Sequence, residues 1–158
     1  MNPATAWNFA AGPARLPDAV LEYDRAIALK PDFAEAHCNK GNALLELGRI
    51  DEALASYERA ITLQPHFHQA FLSRGIALAA LGRHAEAERS CREALALRPD
   101  YAIAHYNLGR MLKATGRPEE ALAAYDEAIR LRPDHAESFS NRGNALREVL
   151  ELAIVLEH

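Results

Sequence analysis

The chain has 158 residues, of which 49% are hydrophobic and 25% charged, and its formal net charge is −4. This apolar content is higher than in disordered chains, and the small negative charge disfavours binding to a nucleic-acid backbone. The apolar runs are too short for a membrane-spanning helix. We therefore expect a folded protein with neither a nucleic-acid nor a membrane partner.

The N-terminus and the cysteines bear on location. The first residues do not have the basic and continuous apolar regions of a signal peptide. The two cysteines, Cys38 and Cys91, do not form a Cys-x-x-Cys motif, which disfavours a metal or redox site. Two cysteines without a signal peptide indicate a reducing compartment, so the expected location is cytoplasmic.

The helix-breaking residues follow one period of 34 residues. Seven of the eight glycines and four of the eight prolines obey it. They fall into three sets: Gly41, Gly75, Gly109 and Gly143; Gly48, Gly82 and Gly116; and Pro31, Pro65, Pro99 and Pro133. An ordinary domain scatters such residues, so this regularity indicates a repeat array.

Within each period the apolar positions step by three and four residues, which predicts two helices joined by a tight turn. In chain order we expect an irregular or short helical segment at 1–16, the second helix of a partial repeat at 17–33, full repeats at 34–67, 68–101 and 102–135, and a partial repeat or one long helix at 136–158. The turn glycine is replaced by Ala14 and Leu150 near the two ends, which marks the predicted limits of the array. The final Leu-Glu-His resembles the start of an expression tag.

The glycines have two predicted roles. Gly48 and its equivalents follow the last apolar residue of the first helix, where a left-handed C-cap favours glycine. Gly41 and its equivalents lie in the middle of a helix, where glycine is unfavourable by about 1 kcal/mol relative to alanine. We therefore expect the second set to allow close helix packing against the alanines of the partner helix, Ala53, Ala87 and Ala121.

One unit carries the spacing of a known repeat. In 102–135 the matching residues are Leu108, Gly109, Leu112, Ala121, Tyr125, Ala128 and Pro133. The array resembles the tetratricopeptide repeat (TPR) family, and it is similar to the repeats of bacterial TPR proteins and of the TPR region of O-GlcNAc transferase. The resemblance implies an all-α fold, a right-handed superhelical solenoid of antiparallel helix pairs, with a concave face lined by the first helices.

The resemblance also implies a site. The predicted peptide-binding groove comprises Asn39, Asn42, Leu72, Ser73, Ile76, Tyr106, Asn107, Arg110, Lys113, Asn141 and Asn144. One set of positions, Asn39, Ser73, Asn107 and Asn141, resembles the asparagine ladder of O-GlcNAc transferase, and Ser73 interrupts it. Asparagine amides can donate to and accept from a peptide backbone. We expect an extended or helical ligand with an apolar anchor near Leu72, Ile76 and Tyr106 and an acidic group near Arg110 and Lys113.

The family's carboxylate clamp for chaperone tails is not expected here. It requires cations at set positions of consecutive repeats, and one possible window has Cys38 and Ile103 at such positions. The next has Leu72 and Glu137. The sequence also has no recognisable catalytic, phosphate-binding or dinucleotide motif, so we expect no enzyme activity, no cofactor and no metal.

Three functions are compatible with this sequence. The leading one is a non-catalytic scaffold that binds a protein or peptide. A second is a substrate-recruiting fragment of a larger enzyme similar to O-GlcNAc transferase. A third is a self-associating module, such as a homodimer, because the C-terminal segment is apolar on more than one face. The residues expected to mediate self-association are Val149, Leu150, Leu152, Ile154 and Val155.

Overall fold

The computed structural model describes residues 15–158. This part of the chain forms eight α-helices and contains no β-strand. The helices are α1 Leu16–Leu29, α2 Ala34–Glu46, α3 Ile50–Leu63, α4 His68–Ala80, α5 His84–Leu97, α6 Ala102–Ala114, α7 Pro118–Leu131 and α8 Ala136–Leu156. The all-helical prediction is confirmed. Most of the segment predicted at 1–16 lies outside the described residues.

The described part of the chain divides into two compact units, residues 15–73 and 74–158, and α4 crosses the boundary between them. In the first unit α2 packs against both α1 and α3. In the second unit α5 packs on α6, α6 on α7, and α7 on α8, with a smaller contact between α6 and α8. Within each unit these helices therefore pack mainly against their neighbours in the sequence.

The turns within the helix pairs have the predicted conformation. Gly48, Gly82 and Gly116 have φ values of +76°, +76° and +75°, which lie in the left-handed region. No other described residue has a positive φ. Each second helix then ends just before a proline, as at Leu63 and Pro65. Both roles follow from backbone chemistry, because glycine tolerates positive φ and proline has no N–H to donate.

The packing of the mid-helix glycines differs from the prediction. A β-carbon at Gly41 would lie 2.6 Å from Cε1 of Tyr57, and one at Gly109 would lie 2.6 Å from Cε1 of Tyr125. At these two glycines the nearest side chain is therefore a tyrosine and not the expected alanine, whereas at Gly75 the expected residue, Ala87, is the nearest neighbour. The fully buried tyrosine rings fill the space beside Gly41 and Gly109. Close approach is still the reason for glycine, but a ring and not a methyl group requires it.

The repeat that lacks this tyrosine fills the space differently. Cys91 replaces Tyr57 and Tyr125, and a β-carbon at Gly75 would meet the carbonyl oxygen of Ala87 at 3.1 Å and Cε of Met111 at 3.6 Å. Met111 is 4% exposed. At its register position the other repeats have alanine, at Ala43, Ala77 and Ala145. A flexible methionine from the next repeat thus substitutes for the missing ring.

This exchange of volume predicts an energetic coupling. Cys91→Tyr alone would force a ring into the space of the Met111 side chain and destabilise the fold by about 1–3 kcal/mol. Met111→Ala alone would leave a cavity and destabilise it by about 2–5 kcal/mol. The double variant restores the tyrosine–alanine combination, so its loss should be smaller than the sum of the two by about 1 kcal/mol or more. Urea denaturation of the four proteins measures this coupling, and additive losses would contradict it.

Candidate functional site

An open cleft lies on the second unit. Its volume is about 280 Å³, which is large enough for one or two amino-acid side chains. It is lined by Ile76, Ala79, Ala80, His84, Asn107, Arg110, Met111 and Ala114. Most of these residues belong to α4 and α6, which are the first helices of their repeats. The local sequence therefore places small and aliphatic side chains on the walls of the cleft.

The polar side of the cleft is cationic. Arg110 is exposed, and its guanidinium carbon lies 5.9 Å from the centre of the Tyr106 ring, a cation–π distance. Lys113 lies three residues further along α6, close to one helical turn away. No carboxylate is among the residues that line the cleft. An acidic group entering it would therefore meet the Arg110 guanidinium beside an apolar wall.

Two buried polar atoms near this surface are without a hydrogen-bond partner. The first is Nδ1 of His84, a residue that lines the cleft at the start of α5. The second is the hydroxyl of Tyr125, whose side chain is fully buried. Native structures leave few such atoms unpaired, so these two mark places where burial of a polar atom is not compensated by a hydrogen bond.

The repeat register explains the tyrosine. In the first unit the Tyr57 hydroxyl donates to Oδ1 of Asn42 at 2.8 Å. The register position of Asn42 is occupied in the third repeat by Arg110, which has only donors and cannot accept the Tyr125 proton. Burial raises the pKa of Tyr125 to about 12, and the nearby Tyr106 also raises it. The arginine that supplies charge to the cleft thus removes the acceptor from the tyrosine beneath it.

Tyr106 is at the centre of a second set of contacts. Its ring centre lies 6.1 Å from that of Tyr125 and 4.9 Å from that of His135, the latter edge-on. Its hydroxyl accepts a hydrogen bond from Nδ2 of Asn141 at 3.0 Å. These contacts fix Tyr106 beside Arg110, so the aromatic and cationic parts of the surface are held together.

The predicted groove residues of the first unit differ in accessibility. Asn39 and Asn42 are exposed, and Ser73 is half-buried. Leu72 is 4% exposed, so its side chain is part of the core. Ser73 also interacts with the hydroxyl of Tyr57. Burial raises the pKa of this tyrosine far above its usual value.

In the second unit two of the three predicted asparagines use their side-chain amides in hydrogen bonds within the protein. Asn107 is 5% exposed, and its Nδ2 donates to the carbonyl of Ile103 at 2.9 Å. Asn141 is half-buried and bonded to Tyr106, whereas Asn144 is exposed. Ile76 and Lys113 are half-buried. Of the predicted groove residues in this unit, the cleft itself brings together Ile76, Asn107 and Arg110.

The apolar residues predicted for self-association lie on α8. Leu150, Leu152, Ile154 and Val155 are 56%, 45%, 59% and 71% exposed, and Val149 is half-buried. α8 continues through position 150, where the earlier repeats have their turn glycine. These side chains are therefore presented on one continuous helix.

Other chemistry is limited in the described part of the chain. Burial raises the pKa of Cys38 to about 11 and that of Cys91 to about 12, so both thiols stay protonated at neutral pH. Residues 15–158 contain no group of three or more metal-ligating side chains. Within the same range no helix is long and apolar enough to cross a membrane.

Sequence comparison identifies the repeat. Tetratricopeptide repeat models match residues 38–102, 72–136 and 106–148, and a TPR repeat model matches residues 15–48. The chain belongs to the tetratricopeptide repeat family. The matches cover the TPR helices on which the cleft lies. No curated protein matches the sequence significantly.

Solved TPR structures have the same fold. The crystal structure of MamA aligns with a TM-score of 0.78 at 22% identity, over 86% of this chain and 80% of MamA. TTC0263, a thermophilic TPR protein of Thermus thermophilus, aligns at 0.76 and 25% identity, over 84% and 74% of the two chains. The first TPR of Spaghetti (RPAP3), bound to the HSP90 peptide SRMEEVD, aligns at 0.72 and 26% identity, over 74% and 93%.

The two buried tyrosines of the TPR array should respond differently to loss of the hydroxyl. Tyr57→Phe removes the bond to Asn42 and should destabilise the protein by about 1 kcal/mol. Tyr125→Phe removes only an unpaired hydroxyl and should be neutral or stabilising. Urea denaturation at pH 7 measures both, and an equal loss in the two variants would contradict the difference in bonding.

The pKa of Tyr125 adds a second readout. An unfolded tyrosine ionises near pH 10, whereas folded Tyr125 resists ionisation up to about pH 12. Ionisation of this tyrosine in the unfolded chain therefore does not affect stability below pH 10 and progressively lowers the free energy of unfolding as the pH rises towards 12. Tyr125→Phe should lose less stability over this range than the parent protein does.

Proposed function

We propose that this chain is a non-catalytic protein-interaction module that binds a peptide segment of a partner protein in the cleft of its second unit. The cleft itself is the observation that carries the proposal. It is open and lined largely by apolar side chains, and Arg110 lies at its edge. Peptide sites commonly combine such an apolar pocket with a few polar groups that fix orientation.

The lining supports a ligand that carries an acidic side chain next to an apolar one. Ile76 and Met111 offer an aliphatic surface, and Arg110 offers positive charge without a competing carboxylate among the lining residues. Lys113 lies about one turn further along α6 and adds a second cation near the cleft. A volume of about 280 Å³ accommodates one such apolar side chain rather than a folded surface. The ligand is thus an extended or helical segment that inserts one anchor.

Backbone recognition by an asparagine ladder has weaker support. Asn107 is buried and uses its amide on Ile103, and Asn141 uses its amide on Tyr106. In the second unit the amide that is exposed to a ligand belongs to Asn144. Side-chain chemistry, more than backbone readout, should therefore decide the specificity of this unit.

The solved neighbours support the class of ligand but not its identity. The RPAP3 domain is bound to the HSP90 peptide SRMEEVD. In this chain Leu72 and Ile76 stand where a carboxylate clamp needs a lysine and an asparagine. SRMEEVD is therefore a useful comparison peptide, which we expect to bind more weakly than internal acidic–apolar segments.

A double substitution tests the acidic part of the proposal. Arg110→Ala with Lys113→Ala should weaken binding of the best acidic–apolar peptide from a fluorescent library by about tenfold or more, because each exposed ion pair contributes up to about 1 kcal/mol. Fluorescence polarisation at two salt concentrations measures the change. The matched control is Arg89→Ala with Arg130→Ala, which removes two exposed cations from second helices. Equal affinity in the test variant and the control would overturn the assignment.

Self-association is a second candidate, favoured by the exposed apolar side chains of α8. Leu150, Leu152, Ile154 and Val155 form a larger apolar surface than single scattered residues do. We expect this surface to be covered by another molecule. The recruiting role beside a catalytic domain stays a prediction, which the sequence of the whole gene would test.

Added charge on α8 tests self-association. Leu152→Glu with Ile154→Glu should make the protein monomeric at concentrations at which the parent forms larger species. Light scattering against concentration measures the mass. The control is Ala96→Glu with Ala123→Glu, which adds two carboxylates at exposed positions of α5 and α7. A parent protein that stays monomeric at all concentrations would exclude this candidate.

A further inference from the structure

α8 leaves open the face that its counterparts cover. No atom lies within 4 Å of a β-carbon placed at Gly143, whereas Gly41 and Gly109 each pack against a tyrosine ring. Leu146 is 40% exposed, but its register equivalents Leu44 and Leu112 are 0% and 2% exposed. In α2 and α6 this face is covered by the second helix of the same repeat, and among the described residues no helix follows α8.

The open face is a stripe along one side of α8. Phe139, Gly143, Leu146, Leu150 and Ile154 are spaced by three or four residues, so they lie on one helix face. The other side of the helix buries Ser138 and Ala145, which are both 0% exposed. The stripe is therefore free of the intrachain packing that holds α8 in place.

α1 has the complementary face. Ala19, Tyr23 and Ala26 stand in register with Ala53, Tyr57 and Ala60 of α3. The three residues of α3 are 0% exposed, whereas those of α1 are only half-buried. α1 thus carries the same side chains that pack against the glycine-containing face of a first helix, and in α1 these side chains are only partly buried.

We propose that α1 of one copy packs on the stripe of α8 of a second copy, with Tyr23 beside Gly143 of that second copy. The α2–α3 and α6–α7 pairs supply the geometry, since in both a tyrosine ring lies against the glycine. The proposal rests on the self-association proposed above and specifies its partner surface. It does not depend on the peptide cleft.

The charges at this contact are complementary. Within one repeat, Nε of Arg74 donates to Oγ of Ser90 at 2.9 Å. Arg142 has the register position of Arg74, and Glu22 has that of Ser90. Docking would therefore place the Glu22 carboxylate against the Arg142 guanidinium.

Both groups already have one partner within their own unit. Glu22 forms an ion pair with Arg25 at 2.7 Å, and Arg142 forms one with Asp126. A carboxylate has two acceptor oxygens and a guanidinium has five donors, so each group can keep its present partner and add a second.

The contact joins two different surfaces, so each associated pair still offers one free α1 and one free α8. Association of this kind is not limited to two copies and gives either an open chain or a closed ring. This consequence separates it from a symmetric contact between two α8 helices, which would stop at the dimer.

Two blocking variants and their mixture test the proposal. Gly143→Leu fills the space on α8 that Tyr23 of the other copy would occupy, and Ala26→Arg places a charge on the contact face of α1. Ala28→Arg is the matched control, because position 28 and its equivalents at 62, 96 and 130 are exposed. Sedimentation velocity over a range of concentrations measures the species, and circular dichroism verifies that each variant is folded.

We expect each blocking variant to associate at least tenfold more weakly than the parent, and the control to behave as the parent. An equimolar mixture of the two blocking variants retains one intact α1 and one intact α8, so it should form a one-to-one complex and nothing larger. A parent that associates while Ala26→Arg has no effect would overturn the α1 contact and leave self-association through α8 in place. A parent that never associates would overturn both.

Discussion

In the first and third full repeats, close packing between the two helices depends on a glycine that faces a tyrosine ring. At Gly41 and Gly109 the ring of the partner tyrosine lies where a β-carbon would be, so any other residue would push the helices apart. The cost of a glycine inside a helix is offset by burial of a complete aromatic ring. The other features of the array follow from how each repeat satisfies, replaces or leaves open this one contact.

The repeat that replaces the contact also forms one wall of the candidate site. Cys91 is too small to fill the space beside Gly75, and Met111 enters from the following repeat. Met111 also lines the cleft, next to Ile76 and Arg110. The same change that keeps the core filled therefore contributes an adaptable thioether to the binding surface. Core packing and ligand chemistry are coupled here through one side chain.

The repeat that leaves the contact open gives the molecule its exposed apolar stripe. No atom lies within 4 Å of a β-carbon placed at Gly143, and Leu146, about one turn later, is 40% exposed. This surface has the shape of the helix face that the second helix covers in the complete repeats. It is therefore selective, because it favours a helix with small residues and one aromatic ring at fixed spacing. α1 has this spacing, so the stripe can discriminate between helices in a way that a nonspecific apolar surface cannot.

The sequence by itself determined the helical class, the 34-residue period, the tight turns at Gly48, Gly82 and Gly116, and the family. These features are local, because each depends on the backbone preference of a residue and on its spacing from the next. Only the tertiary structure decided that tyrosine rings lie closest to Gly41 and Gly109, and that Asn107 is buried with its amide on Ile103. It also revealed the unpaired hydroxyl of Tyr125, although the replacement of Asn42 by Arg110 in the register was a visible signal. A period shows which positions are equivalent, but the atoms that meet across a helix interface depend on side-chain volume and direction in three dimensions.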